Sequence, residues 1–372
     1  MKYVKPLDGY RAIAVLLVII DHWLPPNDPL KVLPYGFMGV NMFFVLSGFL
    51  ITSILLKSHD AIQEGKMTAG HAFKIFYIRR TLRIFPVYYL LLIIILLFAP
   101  NIFDQVPGSK PWFFLYASNI YFYLKKTWAG GLSPLWSLAV EEQFYLIWPL
   151  IILFILHRRH IFKLMIAFVV GALLLRIAME FSPEIIRRQG SYVILTPACV
   201  DAFGMGALLS LYYADKSKFS AFKRLFNYLS PVTLVVFILS VTFLNYYQAI
   251  IYRTCISILS VWLLIYLLDE QKWVTRNFFG NTAMVYIGKI SYSIYLFHDF
   301  IPWFYQSLGK YFHDNGLFIP FIHRSILPFI GGYKQNLLYF AFLLALSSLS
   351  WYLFEKPINN LKKYFSYDTE GQ

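Results

Sequence analysis

The sequence predicts an all-α integral membrane protein, a bundle of about ten transmembrane helices with both termini in the cytoplasm. Three observations predict it. Hydrophobic residues make up 59% of the chain and charged residues 14%, with a mean hydropathy of +0.58, whereas a soluble domain is about 45–50% apolar and about 25% charged. Apolar segments near bilayer-spanning length recur along the whole chain. The polar stretches between them alternate in their content of Lys and Arg, the signature of a membrane topology. The net charge of +14 is thereby explained without a nucleic-acid partner. The chain reads as a single polytopic membrane domain over 1–372, with the lipid bilayer as its surroundings.

The spans follow in order. The first lies near 10–24. Lys2 and Lys5 ahead of Ala12–Ile20 imitate a signal peptide, but His22-Trp23-Leu24-Pro25-Pro26 follows with no small-residue cleavage site, so the span is read as retained. The others lie near 37–56, 84–99, 135–156, 164–181, 193–213, 230–246, 249–268, 282–305 and 336–354. The longest stretches between spans are 57–83 on one side, with 100–134 and 306–335 on the other. The termini and the loops on their side hold 20 of the 33 Lys and Arg and the opposite loops hold 9, so the positive-inside rule puts both termini in the cytoplasm. Cys199 and Cys255 both fall in apolar stretches. They make no disulfide framework and no zinc spacing, and no metal is expected.

Arg11 and His22 are separated by ten residues, nine of them apolar. Eleven steps of about 100° come to about 20° past three full turns, so one helix carries both on one face, about 16 Å apart along its axis. Ionisable groups inside a membrane helix are costly and by default functional. His22 suits general-base work or acyl transfer through its own ring, or else it anchors the span at the interface beside Trp23. The run Gly36–Phe49 opens the second span. Gly39, Ser47 and Gly48 read as helix-packing residues, and Asn41 as an amide in need of a partner, with His22 at a similar depth. Arg79, Arg80 and Arg83 share an inner helical step and can converge on one phosphorylated ligand, or anchor the helix to anionic lipid.

Pro134 is a plausible start for the fourth span. Glu141 then sits about two turns inside the outer face, at the depth of His22, and is expected within hydrogen-bond or one-water reach of it. There it can orient the imidazole or act as the base itself. Arg176 and Asp201 read as an ion pair between neighbouring spans. His298 and Asp299, in the outer half of the ninth span, either complete a polar outer cavity or are packed polar groups. Arg253 has no evident partner in the sequence.

Several motifs together resemble one family. They are Leu7-Asp8-Gly9-Tyr10-Arg11 with His22, the Gly39-Val40…Phe44…Leu46-Ser47-Gly48-Phe49 run, Arg79-Arg80…Arg83-Ile84…Pro86, and Trp136-Ser137-Leu138…Val140-Glu141…Gln143-Phe144-Tyr145. Later come Ser291-Tyr292…Tyr295-Leu296…His298 and Glu355-Lys356-Pro357. Set in this order over nearly the whole chain, they resemble the acyltransferase 3 group of multispanning bacterial membrane acyltransferases. The resemblance implies ten core spans in the inner membrane of a bacterium and transfer of an acyl group, commonly acetyl, from cytoplasmic acyl-CoA. The acceptor it implies is a hydroxyl of an exported or lipid-linked glycan, or of another cell-envelope molecule. It implies catalytic roles for Arg11, His22 and Glu141, and donor binding by Arg79, Arg80 and Arg83. Asn41, Glu142, Tyr145, Tyr292 and His298 are candidates for substrate binding or support. The chain departs from the family at Cys199, where an arginine often stands two residues before Asp201. Many relatives carry a fused outer hydrolase-like domain. This length leaves no room for one, so the acceptor is expected to enter the membrane domain, or a separate extracytoplasmic partner to receive the acyl group.

The sequence thus favours an integral membrane O-acyltransferase. A transporter of an acylated lipid or glycan would explain the spans and buried charges without chemistry. Inverted repeats would support it, and the His22 and Glu141 motifs have no counterpart in the second half. A membrane scaffold leaves Arg11, His22 and Glu141 unexplained.

Overall fold

The computed structural model describes residues 3–155, 158–243, 248–269, 272–305 and 333–367. No strand occurs among them. The helices are α1 (Pro6–Trp23), α2 (Tyr35–Gln63), α3 (Ala69–Phe98), α4 (Lys110–Phe114), α5 (Ser118–Lys125), α6 (Leu135–Leu150) and α7 (Arg158–Glu180). After them come α8 (Glu184–Arg187), α9 (Thr196–Tyr213), α10 (Lys216–Phe243), α11 (Gln248–Leu267), α12 (Thr282–Lys289), α13 (Ser291–Phe297), α14 (Tyr333–Ser350) and α15 (Lys356–Asn360).

Eight helical stretches among the described residues are long and apolar enough to cross a membrane, against the ten expected. The two that differ do so for visible reasons. α1 has 18 residues but carries Asp8, Arg11 and Asp21, three charges in a short span. The expected span 282–305 is interrupted: α12 ends at Lys289, Ile290 leaves helical geometry at φ −93° and ψ 6°, and α13 restarts at Ser291. The outer stretch expected over 306–335 lies, as far as residue 332, outside the described residues. The stretch 100–134, expected between spans, holds the short helices α4 and α5. These bury Phe113, Tyr121 and Phe122 and are tied to α3 by Tyr88 and Tyr89, whose hydroxyls donate to the carbonyls of Phe113 (2.8 Å) and Phe114 (2.9 Å).

Local sequence sets the helix ends. Pro6 occupies the first turn of α1, where its missing N–H costs nothing. Leu24, ahead of Pro25, turns extended at φ −79° and ψ 139° and stops the helix. Thr68 caps α3 by accepting the amide of His71 at 3.2 Å. Pro149 near the end of α6 is followed by a π turn over Ile151–Ile155.

Small residues decide the packing. α2 lies along α9 with backbones in contact. A side chain at Gly48 would run into the carbonyl of Phe203, and one at Gly206 into the carbonyl of Val45, so the two glycines permit the approach from opposite sides. Gly39 lets α2 close on α1 at the Ala14 carbonyl. Gly39 and Gly48 are thus packing residues, as their sequence suggests, and Ser47 is not. α1 is held between α2 and α12, with α13 against its far end.

The charge expected between α7 and α9 is present. Arg176 Nη2 lies 2.8 Å from Asp201 Oδ2, both side chains fully enclosed. Arg176 also donates to the Ala198 carbonyl and to Thr254 Oγ1, each at 2.6 Å, and Thr254 Oγ1 donates to Asp201 Oδ2 at 3.0 Å. The network is what allows a guanidinium to remain in an apolar bundle.

A candidate active-site cleft

A cleft of about 760 Å³, open mouth included, runs between α1, α2, α3, α6 and α13. At the end of the bundle where α2 joins α3, Arg11, Arg80 and Arg83 face it. Its middle is formed by Ser47, Glu141, Tyr145 and Tyr292, and Ser137 and Tyr295 line it as well. Most of the remaining wall is apolar, with Phe43, Phe44 and Leu138 among its residues.

The cations are held differently. Arg11 Nη1 meets Asp8 Oδ1 at 2.5 Å, one turn back on α1, and Tyr3 donates to the other oxygen of Asp8 at 2.5 Å. Arg80 spreads over the rings of Tyr145 (5.2 Å) and Phe76 (5.7 Å). Neither Arg80 nor Arg83 donates a hydrogen bond to a described residue, and both face the cleft. Arg79, expected to converge with them, does not. Its Nη1 donates to the carbonyls of Lys362 (2.9 Å) and Phe365 (2.7 Å), and its guanidinium lies 5.7 Å from the Tyr367 ring. Successive residues on a helix point about 100° apart, and the C-terminal segment claims the side that Arg79 takes.

In the middle of the cleft, Glu141 Oε1 accepts hydrogen bonds from both Ser47 Oγ and Tyr145 OH, and these hydroxyls lie 3.0 Å apart. Tyr292 is fixed by donating to the Ile84 carbonyl at 2.9 Å. Glu142 faces away from the cleft, and its Oε1 is buried without a partner among the described residues.

His22 is exposed at the far end of α1. The expected contact with Glu141 is absent from the hydrogen bonds of either residue. α13, not α6, lies against α1, and the partner it supplies is His298. His22 Nδ1 and His298 Nε2 are 2.6 Å apart with nearly parallel rings. His298 is fully buried, its Nδ1 is 2.7 Å from the Tyr295 carbonyl, and its own carbonyl accepts Trp23 Nε1 at 2.9 Å. Tyr295 joins the pair to the cleft: its ring lies 5.5 Å from that of His298, and its hydroxyl meets Ser137 Oγ at 2.5 Å.

Asn41 is also placed differently from expectation. It pairs with Arg253 of α11, not with His22, because α2 turns that face toward α11. Arg253 gains the partners that the sequence did not reveal: the carbonyl of Val193, Asn41 Oδ1 at 3.0 Å and Cys199 Sγ at 3.3 Å. The sequence reading took Ser47 for a packing residue and gave Ser137 and Tyr295 no role in the site. Tyr295 had a signal, since it stands one turn before His298 in the same polar run. Among the described residues, no three His, Cys, Asp or Glu side chains gather where they could hold a metal ion.

Comparison with known proteins adds the following. The profile of the acyltransferase 3 family, described as an acyltransferase domain, matches residues 4–356. A peptidoglycan O-acetyltransferase, OatA, of Listeria monocytogenes is 31% identical, over 80% of this chain and 49% of its own length. A putative O-acetyltransferase of Staphylococcus aureus is 30% identical, over 87% of this chain and 56% of its own. A putative peptidoglycan O-acetyltransferase, YrhL, of Bacillus subtilis is 28% identical, over 96% of this chain and 55% of its own. The chain thus spans about half the length of the curated relatives it matches. No solved structure shows a significant match.

Proposed function

Because this chain belongs to the acyltransferase 3 family, we propose that it is a bacterial inner-membrane O-acetyltransferase that moves an acetyl group from cytoplasmic acetyl-CoA to a hydroxyl of a cell-envelope glycan. The relative named as a peptidoglycan O-acetyltransferase makes peptidoglycan, or a lipid-linked precursor of it, the first acceptor to test. The whole of 1–372 acts as one membrane domain in this reading, with its N-terminus and the α2–α3 connection in the cytoplasm. A separate extracytoplasmic partner remains part of the reading as a second route to the glycan.

One observation carries the proposal. A single cleft has three guanidiniums at one end, a carboxylate midway, and at Tyr295 borders the His22–His298 pair. The fit to an acyl-CoA is chemical. Its phosphates need paired cations, and Arg80 and Arg83 hold unused donors on the cleft wall, with Arg11 beside them to stabilise negative charge on the donor. The thioester arm is uncharged and suits the apolar walls beyond.

His22 is the reacting base. It takes the proton of the acceptor hydroxyl as the oxygen attacks the thioester carbon. The C–S bond then breaks, and the departing thiolate takes that proton, leaving a free thiol and an ester. A route through an acyl group on His22 has the same overall balance. Glu141 fixes Ser47 and Tyr145 by their hydroxyls and keeps the middle of the cleft in one arrangement. Tyr145 and Tyr292 line the path, and Asn41 and Glu142 support it from outside.

The test is transfer of labelled acetyl from acetyl-CoA to peptidoglycan fragments by the full chain purified into lipid. The wild type transfers label, and His22→Ala, folded and inserted, loses about 10²–10⁴-fold of the rate. A wild type that neither transfers nor hydrolyses the donor, or a His22→Ala variant of near-normal rate, overturns the reading.

A further inference from the structure

His298 is a fully buried imidazole to which the acyl-transfer scheme above assigns no role. Its bonds form a directed chain. The Tyr295 carbonyl can only accept, so the 2.7 Å contact requires a proton on His298 Nδ1. A neutral imidazole with Nδ1 protonated presents a lone pair at Nε2. That lone pair faces His22 Nδ1 at 2.6 Å, so the proton between the rings belongs to His22 Nδ1. The remaining nitrogen of His22, Nε2, therefore carries a lone pair, and the structure gives it no hydrogen bond to a described residue.

We propose that His298 is the positioning residue of the reaction, holding His22 in the Nδ1–H tautomer so that His22 Nε2 is the atom that takes the acceptor proton. The inference rests on the acyl-transfer reading and names the atom and the orienting group within it. His298 does for His22 what a buried carboxylate does in a Ser-His-Asp triad, where it fixes tautomer and ring orientation without itself being protonated. Here the orienting group is neutral. Burying a second histidine costs less than burying a carboxylate beside a membrane-spanning helix. The acceptor end is itself anchored twice, through Tyr295 below and through Trp23, which donates to the His298 carbonyl at 2.9 Å. Trp23 is the residue after His22, so the chain segment that carries the base also grips the residue that orients it.

As the acceptor hydroxyl loses its proton to Nε2, His22 becomes imidazolium and still donates from Nδ1 to His298. His298 need not change protonation at any point. Glu141, occupied by Ser47 and Tyr145, is not required for the orientation.

Two measurements test the proposal. The first compares His298→Phe with His298→Gln in the reconstituted full chain. Phe keeps a ring and removes the acceptor, whereas the amide oxygen of Gln can stand where Nε2 stood. Loss of the correct tautomer in a triad lowers kcat about 10⁴-fold. With a neutral partner, His298→Phe is expected to lose about 10²-fold in kcat with the donor KM within about twofold, and His298→Gln to recover most of it. Retention of kcat in folded His298→Phe overturns the proposal. So does equal loss in both variants, or a loss that appears in donor KM alone.

The second measurement needs no His298 variant and no turnover. ¹⁵N-histidine spectra of the wild type in lipid, with His22 assigned by its disappearance in His22→Gln, report which ring nitrogen is protonated. Protonation at Nδ1 with a bare Nε2 is expected. Protonation at Nε2 overturns the proposal even if the variants behave as expected. Because this readout is independent of any acceptor, a failure to find glycan transfer would sink the functional reading and leave the tautomer result standing on its own.

Discussion

Asn41 and Arg253 hold each other from both ends. The amide of Asn41 donates to the backbone carbonyl of Arg253 at 2.9 Å, and its oxygen accepts Arg253 Nη2 at 3.0 Å. Both side chains are fully enclosed. The guanidinium also stacks 5.2 Å from the ring of Phe37 and donates to Cys199 at 3.3 Å. Cys199 stands two residues before Asp201, and the guanidinium that reaches its sulfur comes from α11.

The pair should therefore be coupled in stability. Removing one partner of a buried hydrogen bond costs about 1–3 kcal/mol, so Asn41→Leu should lower the thermal midpoint in lipid. In a double-mutant cycle with Arg253→Met, the coupling should exceed the about 0.6 kcal/mol average for side-chain hydrogen bonds in a membrane bundle. Additive losses would mean that Val193 and Cys199 satisfy Arg253 without Asn41.

Arg79, Arg80 and Arg83 should separate in kinetics although they lie within five residues. Arg80→Glu and Arg83→Glu should each raise the KM for acyl-CoA about tenfold or more, since each replaces a cleft cation with a like charge for the phosphates. Arg79→Glu should leave donor KM within about threefold and instead loosen the C-terminal segment from α3. That loosening is readable as faster hydrogen exchange over 360–367. Equal KM effects at all three positions would restore lipid anchoring or a shared ligand as the better account.

Orientation in the membrane follows from charge and is open to direct measurement. The native cysteines are both buried, so an added thiol can be followed against a low background. Cysteine at Lys66, between α2 and α3, should resist an impermeant maleimide in intact cells, and cysteine at Lys126, after α5, should react. The reverse pattern would put the arginine end of the cleft outside, away from cytoplasmic acyl-CoA.

The helical period made much of this legible. It gave the pairing of Arg176 with Asp201 and the glycine contacts of α2. What it supplies is position within one helix. Which helix stands opposite is decided by contacts far apart in sequence, and the sequence reading went astray where that mattered. Asn41 was expected at the depth of His22 and instead pairs with Arg253 of α11. Glu141 was expected at the depth of His22, but it bonds Ser47 in the middle of the cleft, while His22 lies at the far end of α1 against His298. Arg79 has the spacing to join Arg80 and Arg83, and carbonyls near the C-terminus draw it off. The short helices α4 and α5 were also hidden, because segments of five and eight residues carry too few turns to display a period.

On the mechanism proposed above, the exposure of His22 has a cost in fidelity. A base open to solvent has no means of telling a sugar hydroxyl from water, and an acetyl thioester brought to it alone would be hydrolysed. Selectivity must then reside in the order of arrival, with the thioester reaching the far end of the cleft only when a glycan already shields the imidazole. Leakage of acetate without acceptor, measured against transfer with it, reads that order of arrival.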